Sequence, residues 1–264
     1  MAVVTRRARD TEGAAAGTGP VTGITGAAVA SAGADLRSEM VAALQRAGAI
    51  RTDPVRRAFL AVPRDVFVPE IAEHGGLQAV YQPVTALVAS SDAGPALVSS
   101  SSDASVMAAM LEALELRPGL RVLEVGTGTG YAAALLKWLV GGAGTVISIE
   151  TDEDFARRAR HALARAGFRS HVVVGDGRAG WPPGAPFHRI MVTAGTDRVA
   201  RAWQDQLVDG GLMEIPLRLR SGLGAQALLT LRRQGGSLRA VSVVPAHLAP
   251  PLPVGEHRWR ALER

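Results

Sequence analysis

The sequence contains no cysteine, which excludes disulfide bonds, thiolate metal sites and a cysteine nucleophile. This absence fits a reducing compartment, so we expect a cytoplasmic protein. The six histidines include no pair at the spacing of His-Glu-x-x-His, and no metal site is predicted. No uninterrupted apolar run approaches the roughly 20 residues that a helix needs to cross a bilayer, so no membrane partner is expected.

Aromatic residues and lysine are also scarce. Aromatics make up 4% of the chain, and Lys137 is the only lysine, so the formal net charge of +5 depends on arginine. A nucleic-acid surface needs stacking platforms as well as positive charge, and these arginines are scattered along the chain. Nucleic acid is therefore disfavoured as a partner, whereas an acidic peptide would suit the charge equally well.

The composition changes along the chain. The first residues are mostly Ala, Gly, Thr and Ser, with little to bury. Helical spacing of apolar residues begins at Asp35, which could cap a helix, and a second helix is predicted from Asp53. Residues 74–104 have no clear assignment. We predict a flexible segment over 1–34, helices and a substrate-binding region over 35–117, a cofactor-binding core over 118–245 and a tail over 246–264.

Strands and helices alternate clearly after residue 120. The predicted strands are 121–125, 145–150, 171–174, 189–193, 212–215, 226–231 and 238–244, the last two forming a hairpin across Gly235–Gly236. Strands that alternate with helices favour an α/β fold with a doubly wound sheet. We therefore predict a Rossmann-like, mostly parallel sheet of seven strands with an N-terminal helical extension.

A glycine-rich turn with an acidic residue before it follows the first of these strands. Gly126, Gly128 and Gly130 stand where a strand must turn into a helix, and only glycine lets a ligand approach the backbone so closely. The spacing differs from the Gly-x-Gly-x-x-Gly of dinucleotide sites. Glu124 would repel a phosphate but suits an ammonium and a sulfonium. The turn predicts an S-adenosyl-L-methionine site with S-adenosyl-L-homocysteine as product; a tight turn without ligand is the alternative.

The next two strands also end in acidic residues. Glu150 stands where a doubly wound fold places the carboxylate that accepts both ribose hydroxyls. Asp176 could accept a hydrogen bond from the adenine amino group, and Gly177 would leave room for the ring. Taken singly, these residues could be a solvated carboxylate and a plain Asp-Gly turn. Together with the glycine turn, they favour a nucleoside pocket at one edge of the sheet.

Five segments carry a family resemblance: Phe59–Pro69, Leu123–Tyr131, Val174–Gly177, Phe187–Ala194 and Gln206–Gly211 with Ile215-Pro216. In this order, over roughly residues 36–245, they resemble the protein-L-isoaspartate O-methyltransferase family. The resemblance implies a class I methyltransferase fold and a methyl ester made on an aspartyl or isoaspartyl carboxylate. The predicted cofactor-binding residues are Glu124, Gly126, Thr127, Gly128, Gly130, Tyr131, Glu150, Thr151, Asp176, Gly177 and Thr193.

The chain departs from the repair enzymes of this family in one loop. Their Thr-Ile-Ser-Gln-Pro is replaced by a serine run in which Ser102 stands at the serine position and Ala104 at the proline. The preceding loop is more similar to the branch that acts on ribosomally made peptides such as lanthipeptides and graspetides. Ser102 and Ser101 are the predicted catalytic residues, as hydrogen-bond donors to the substrate carboxylate. A serine run that only fills a loop is the alternative.

Three functions remain open from the sequence. The first is methylation of an aspartate in a ribosomally made peptide, in linear or cyclised form, whose ester then closes to an aspartimide and could open to isoaspartate. The second is repair methylation of isoaspartate in proteins. The third is a non-catalytic fold that binds peptide or nucleic acid. Neither reaction needs a general base, because an aspartyl carboxyl with a pKa near 3.9 is ionised at neutral pH.

Overall fold

A computed structural model describes residues 26–82, 86–89, 97–101, 103–218 and 226–246 of the chain. Its helices are α1 (Gly26–Arg46), α2 (Asp53–Ala61), α3 (Pro69–Val80), α4 (Ala104–Ala113), α5 (Tyr131–Val140), α6 (Glu153–Arg165) and α7 (Arg201–Gln206). Its strands are β1 (Ala86–Ala89), β2 (Leu97–Ser101), β3 (Arg121–Val125), β4 (Thr145–Glu150), β5 (His171–Val174), β6 (Phe187–Val192), β7 (Leu207–Arg218), β8 (Gln226–Gln234) and β9 (Ser237–Ala246).

Seven strands form one sheet in the order β5-β4-β3-β6-β7-β8-β9. The first five are parallel, and β8 and β9 add an antiparallel hairpin at one end. The predicted seven-stranded, mostly parallel and Rossmann-like sheet is therefore confirmed. Val125 pairs with Ile149 on one side and with Val192 on the other, so the carboxyl ends of β3, β4 and β6 meet at one edge.

Successive residues of the central strands point to opposite faces of the sheet, and each face has its own core. Val122 and Val146 belong to the core on the side of α1–α6, whereas Leu123 and Ile147 belong to the core on the side of α7. The helices thus cover both faces, as the doubly wound prediction required. Val122, Leu123 and Val125 of β3 are apolar for this reason, and Glu124 is the one charged residue among the buried residues of this strand.

The region before residue 120 holds the main corrections to the predicted elements. Helix α1 begins at Gly26, so Asp35 lies inside the helix and is not its N-cap, and residues 26–34 of the segment predicted over 1–34 belong to this helix. Residues 1–25 of that predicted segment lie outside the described residues. The unassigned segment contains the end of α3 and the antiparallel hairpin of β1 and β2. The predicted domain limits at residues 117 and 245 stay a prediction.

Two further observations concern membrane-spanning helices and clusters of metal-binding side chains. Among the helices that the structure describes, none combines the length and the apolar character needed to cross a membrane. The described residues also include no group of three or more His, Asp or Glu side chains that could hold a metal ion.

Candidate active site

The glycine turn joins β3 to α5 at the carboxyl edge of the sheet. Gly126, Gly128 and Gly130 have φ angles of 102°, 53° and 87°, a region that strongly favours glycine. The turn is fixed to β4, because the amides of Gly126 and Thr127 donate to the Ile149 carbonyl at 2.9 and 3.1 Å. The predicted need for glycine at these positions is therefore explained by backbone conformation.

Thr193, which follows β6, holds the turn from the other side. Its hydroxyl donates to the Val125 carbonyl at 3.0 Å and also contacts the Gly126 carbonyl. A Cβ on Gly126 would lie 2.6 Å from this hydroxyl oxygen, so a larger residue would force the two apart. Thr193 was predicted to bind the cofactor; the structure gives its hydroxyl a direct role in shaping the turn.

Glu124 lies beneath the turn and is completely buried. Ser148 Oγ donates to its Oε2 at 2.5 Å, and the hydroxyl oxygens of Ser148 and Thr127 are 2.5 Å apart. Glu124 Oε1 has no hydrogen-bond partner among the described residues. Burial raises the pKa of Glu124 to about 8, the Ser148 hydrogen bond opposes this, and the charge of Glu150 adds to it.

Glu150, at the end of β4, connects the turn to the next loop. Its Oε2 accepts from the Gly128 amide at 2.8 Å, and its Oε1 accepts from the amides of Thr151 and Asp152 at 2.9 and 3.2 Å. A carboxylate has about four acceptor positions, so Oε2 retains capacity for a ligand hydroxyl. This geometry suits the ribose contact predicted for Glu150, whereas Thr151 is exposed beside it.

Asp176 and Gly177 follow β5, next to the Glu150 loop. Asp176 caps a 3-10 turn by accepting from the Arg178 amide at 2.9 Å, and it forms an ion pair with the Arg178 guanidinium at 2.8 Å. That hydrogen bond with Arg178 lowers the pKa of Asp176. A Cβ on Gly177 would lie 2.5 Å from Val125 Cγ1, so glycine lets this loop approach the end of β3.

Tyr131 does not face an open pocket. Its side chain is 2% exposed and packs against the rings of Phe59 and Phe67, with the Arg64 guanidinium carbon 5.3 Å from its ring centroid. Tyr131 was predicted to bind the cofactor, and the structure instead places its side chain in the core. Any contact with a ligand would therefore involve its backbone at the start of α5.

The two predicted catalytic serines are described only in part. Ser101 is the last residue of β2, paired with Ala86, and Ser102 lies outside the described residues. Asp103 follows them and caps α4 by accepting from the Ser105 amide at 2.7 Å. The catalytic roles of both serines stay predictions.

Several residues of this region were not predicted. Ser148 is the one polar residue among the four buried residues of β4, and this exception was the signal that could have identified it. Trp203 Nε1 donates to the Gly177 carbonyl at 2.7 Å, and Arg178 pairs with Asp176. The Trp203 contact joins residues 26 positions apart, so no local pattern indicates it.

The arrangement fits a nucleoside with a cationic tail. Two carboxylates, Glu150 and Asp176, stand at neighbouring strand ends beside a turn of glycines, and Glu124 supplies a buried oxygen without a partner among the described residues. Phosphate would be repelled by these carboxylates, whereas a sulfonium or ammonium would be attracted. The fold and the site together define an S-adenosyl-L-methionine-dependent methyltransferase.

Comparison with known proteins identifies the family. Residues 35–248 match the family model of protein-L-isoaspartate(D-aspartate) O-methyltransferase. The chain is 40% identical to an Ignicoccus hospitalis protein-L-isoaspartate O-methyltransferase, over 70% of this chain and 83% of that protein. It is 35% identical to one from Hyperthermus butylicus, over 87% of this chain and 92% of that protein. The chain belongs to this family and is an S-adenosyl-L-methionine-dependent carboxyl O-methyltransferase.

Solved structures agree with this assignment. A protein-L-isoaspartate O-methyltransferase structure superposes with a TM-score of 0.71 at 31% identity, covering 80% of this chain and 64% of its own. A Plasmodium falciparum chain in complex with S-adenosyl-L-homocysteine gives a TM-score of 0.67 at 18% identity, covering 80% and 96%, and supports the fold. Membership of an enzyme family also disfavours the non-catalytic alternative.

Proposed function

We propose that this protein methylates isoaspartyl carboxylates in proteins or peptides. The observation that carries the proposal is the extent of the family match, which begins at residue 35 and therefore includes the helices before the cofactor core. Relatives named as protein-L-isoaspartate O-methyltransferases align over 92% of their own length. A match limited to the glycine turn would support only a methyltransferase, whereas this one includes the predicted substrate-binding region. The sequence alone favoured methylation of an aspartate in a ribosomally made peptide, and the extent of the family match reverses that preference.

The reaction requires positioning more than proton transfer. S-adenosyl-L-methionine supplies a methyl group that its sulfonium already activates. Glu150 and Asp176 would hold the nucleoside, and the network of Glu124, Ser148 and Thr127 would support the turn beneath it. Hydroxyls of Ser101 and Ser102 would fix the substrate carboxylate so that one oxygen faces the methyl. An ionised carboxylate is nucleophilic without a general base.

The second candidate is methylation of an aspartate in a ribosomally made peptide, linear or cyclised. The observation that favours it is the replacement of the family's Thr-Ile-Ser-Gln-Pro by the serine run, with Ala104 at the proline position. In the structure Ala104 is the fully buried first residue of α4. After esterification, the next backbone nitrogen would attack the ester carbonyl and release methanol to form the aspartimide. The cytoplasmic location stays a prediction for either candidate.

The two candidates are distinguished by intact mass. The protein is incubated with S-adenosyl-L-methionine and a peptide containing isoaspartate, or with its isomer containing aspartate, in linear and cyclised forms. A gain of one methylene marks the ester, and a loss of one water marks the imide. We expect modification of the isoaspartyl peptide alone. Modification of the aspartyl peptide alone would support the second candidate and contradict the first.

A further inference from the structure

A cleft of about 520 Å³ lies beside the glycine turn, between α6 and the segment that leads into α3. Val66, Phe67 and Pro69 form one apolar wall, and Gly128 and Thr129 of the turn also line the cleft. The volume is within the range of roughly 300–1,000 Å³ that is typical of ligand sites. The cleft is thus large enough to hold a ligand next to the glycine turn.

The α6 wall of the cleft is basic. Arg157, His161 and Arg165 follow each other at intervals of four residues, so they share one face of the helix, and all three are exposed. Helix α6 packs close to the glycine turn. A Cβ placed on Gly130 would lie only 3.2 Å from the Cβ of Ala159. The basic face therefore has a fixed position relative to the cofactor turn.

The charges that line the cleft have a positive balance. Arg158 pairs with Glu70 of α3 across the cleft at 3.8 Å, and its guanidinium carbon lies 4.5 Å from the ring centroid of Phe155. Three arginines against the single Glu70 give the lining a net charge of +2, without counting His161. Asp154 pairs with Arg157 at 2.5 Å from outside the lining. An anionic ligand with some apolar surface complements this combination.

We propose that this cleft binds an acidic segment of the peptide that the enzyme methylates, an inference that rests on the proposed function. The apolar wall and the basic face suit glutamate or aspartate side chains flanked by apolar residues. A nucleic acid would instead need aromatic stacking platforms, and one of the two phenylalanine rings in the lining, Phe155, is faced by Arg158. The cleft would therefore select substrates by sequence outside the methylated residue.

The test measures peptide binding by fluorescence anisotropy on the full-length protein. The probe is a short labelled peptide in which Glu alternates with Leu, and its control has Gln in place of each Glu. The double variant Arg157→Gln and Arg165→Gln removes two positive charges from the cleft. The matched control, Arg201→Gln and Arg239→Gln, removes two positive charges outside the cleft. The two double variants are matched because each replaces one arginine that is ion-paired to an aspartate of its own helix, Arg157 to Asp154 and Arg201 to Asp205. Thermal melts establish that all variants fold.

We expect the cleft variant to bind the acidic peptide roughly tenfold more weakly and the control variant within about twofold of wild type. The Gln peptide should bind weakly to all proteins. Equal losses in both variants would mean attraction to net charge alone, and would overturn the proposal. Two other outcomes would also overturn the proposal. In the first, oligo-dT binds more tightly than the acidic peptide and loses affinity only in the cleft variant. In the second, the cleft variant abolishes self-association of the protein, measured by light scattering.

Steady-state kinetics separate this inference from the proposed function. With isoaspartyl peptides that carry either acidic or neutral flanks, the cleft variant should raise KM for the acidic substrate several-fold and leave kcat and the neutral substrate unchanged. Methylation without acidic-peptide binding would overturn the cleft proposal alone. Acidic-peptide binding with no isoaspartyl methylation would count against the proposed function and leave the cleft's ligand class supported.

Discussion

Replacing Glu124 with glutamine should change how the stability of the protein depends on pH. Glu124 is fully buried, and its pKa is raised from an ordinary value of 4.5 to about 8 by burial, against the Ser148 hydrogen bond and with the Glu150 charge adding to it. Between these two values the folded protein keeps a proton that the unfolded chain loses. The wild-type free energy of unfolding therefore decreases as pH rises through this window.

The size of this effect follows from the two pKa values. One pKa unit corresponds to about 1.36 kcal/mol, so raising the pH from 5 to 9 should remove on the order of 4 kcal/mol of wild-type stability through Glu124. A glutamine has nearly the same shape but does not titrate. Glu214, whose pKa is raised by burial to about 7, is retained in both proteins, so its contribution cancels in the comparison.

Urea unfolding of wild type and Glu124→Gln at pH 5, 7 and 9 tests this reasoning. At pH 5 the variant should be as stable as wild type, or less stable by up to about 2 kcal/mol for the unpaired amide. At pH 9 the difference should have moved in favour of the variant by at least about 2 kcal/mol. A change below about 1 kcal/mol between pH 5 and pH 9 would refute it, because Glu124 would then be ionised in the folded protein.

The other predictions concern the cofactor pocket and the serine run. Asp176→Ala should weaken S-adenosyl-L-methionine binding by about 1–3 kcal/mol in calorimetry, because a hydrogen bond to the cofactor is lost. The control Asp205→Ala removes a similarly exposed, ion-paired carboxylate and should leave the affinity unchanged. Equal affinities of the Asp176→Ala variant and wild type would remove Asp176 from the site. Gly177→Ala should lower the free energy of unfolding by about 1–3 kcal/mol because its Cβ would lie 2.5 Å from Val125 Cγ1, whereas Gly175→Ala meets nothing within 4 Å and serves as control. Ser102→Ala should slow turnover with cofactor affinity nearly unchanged, and a normal rate would move the role to Ser101 or to backbone amides.

The centre of the cofactor core was predictable because the middle residues of β3 and β4 are buried on both faces of the sheet. The predicted limits of β3, β4 and β5 agree with the structure, since each apolar run ends at a glycine or a charged residue. Helix α1 was not predicted to begin at Gly26, because Ala, Gly and Ser dominate its first turns, whereas the buried apolar residues Met40, Val41 and Leu44 stand in its second half. Composition alone could not distinguish these turns from a flexible segment.

Helix α3 was missed for a different reason. Gly76 has a φ of 72° inside the span from Pro69 to Val80, so the segment is kinked and carries no continuous helical pattern. Its end is instead fixed by contacts distant in sequence. The Tyr81 hydroxyl donates to Asp65, and Arg37 Nε donates to the Tyr81 hydroxyl oxygen at 3.3 Å. Such contacts exist only once the helices have packed, and no local sequence signal reports them.

All three acidic residues of the site were predicted to bind the cofactor, and the structure separates them by burial. Glu150 and Asp176 stand at strand ends where their oxygens can accept hydrogen bonds from a ligand, and the side chain of Asp176 is 42% exposed. Glu124 lies beneath the turn, bonded to Ser148, with one oxygen unpartnered among the described residues. A carboxyl in that position influences a bound cation through its charge, and only when it has lost its proton. We therefore expect Glu124 to make cofactor affinity depend on pH, and we expect Glu150 and Asp176 to contribute hydrogen bonds to the bound ligand.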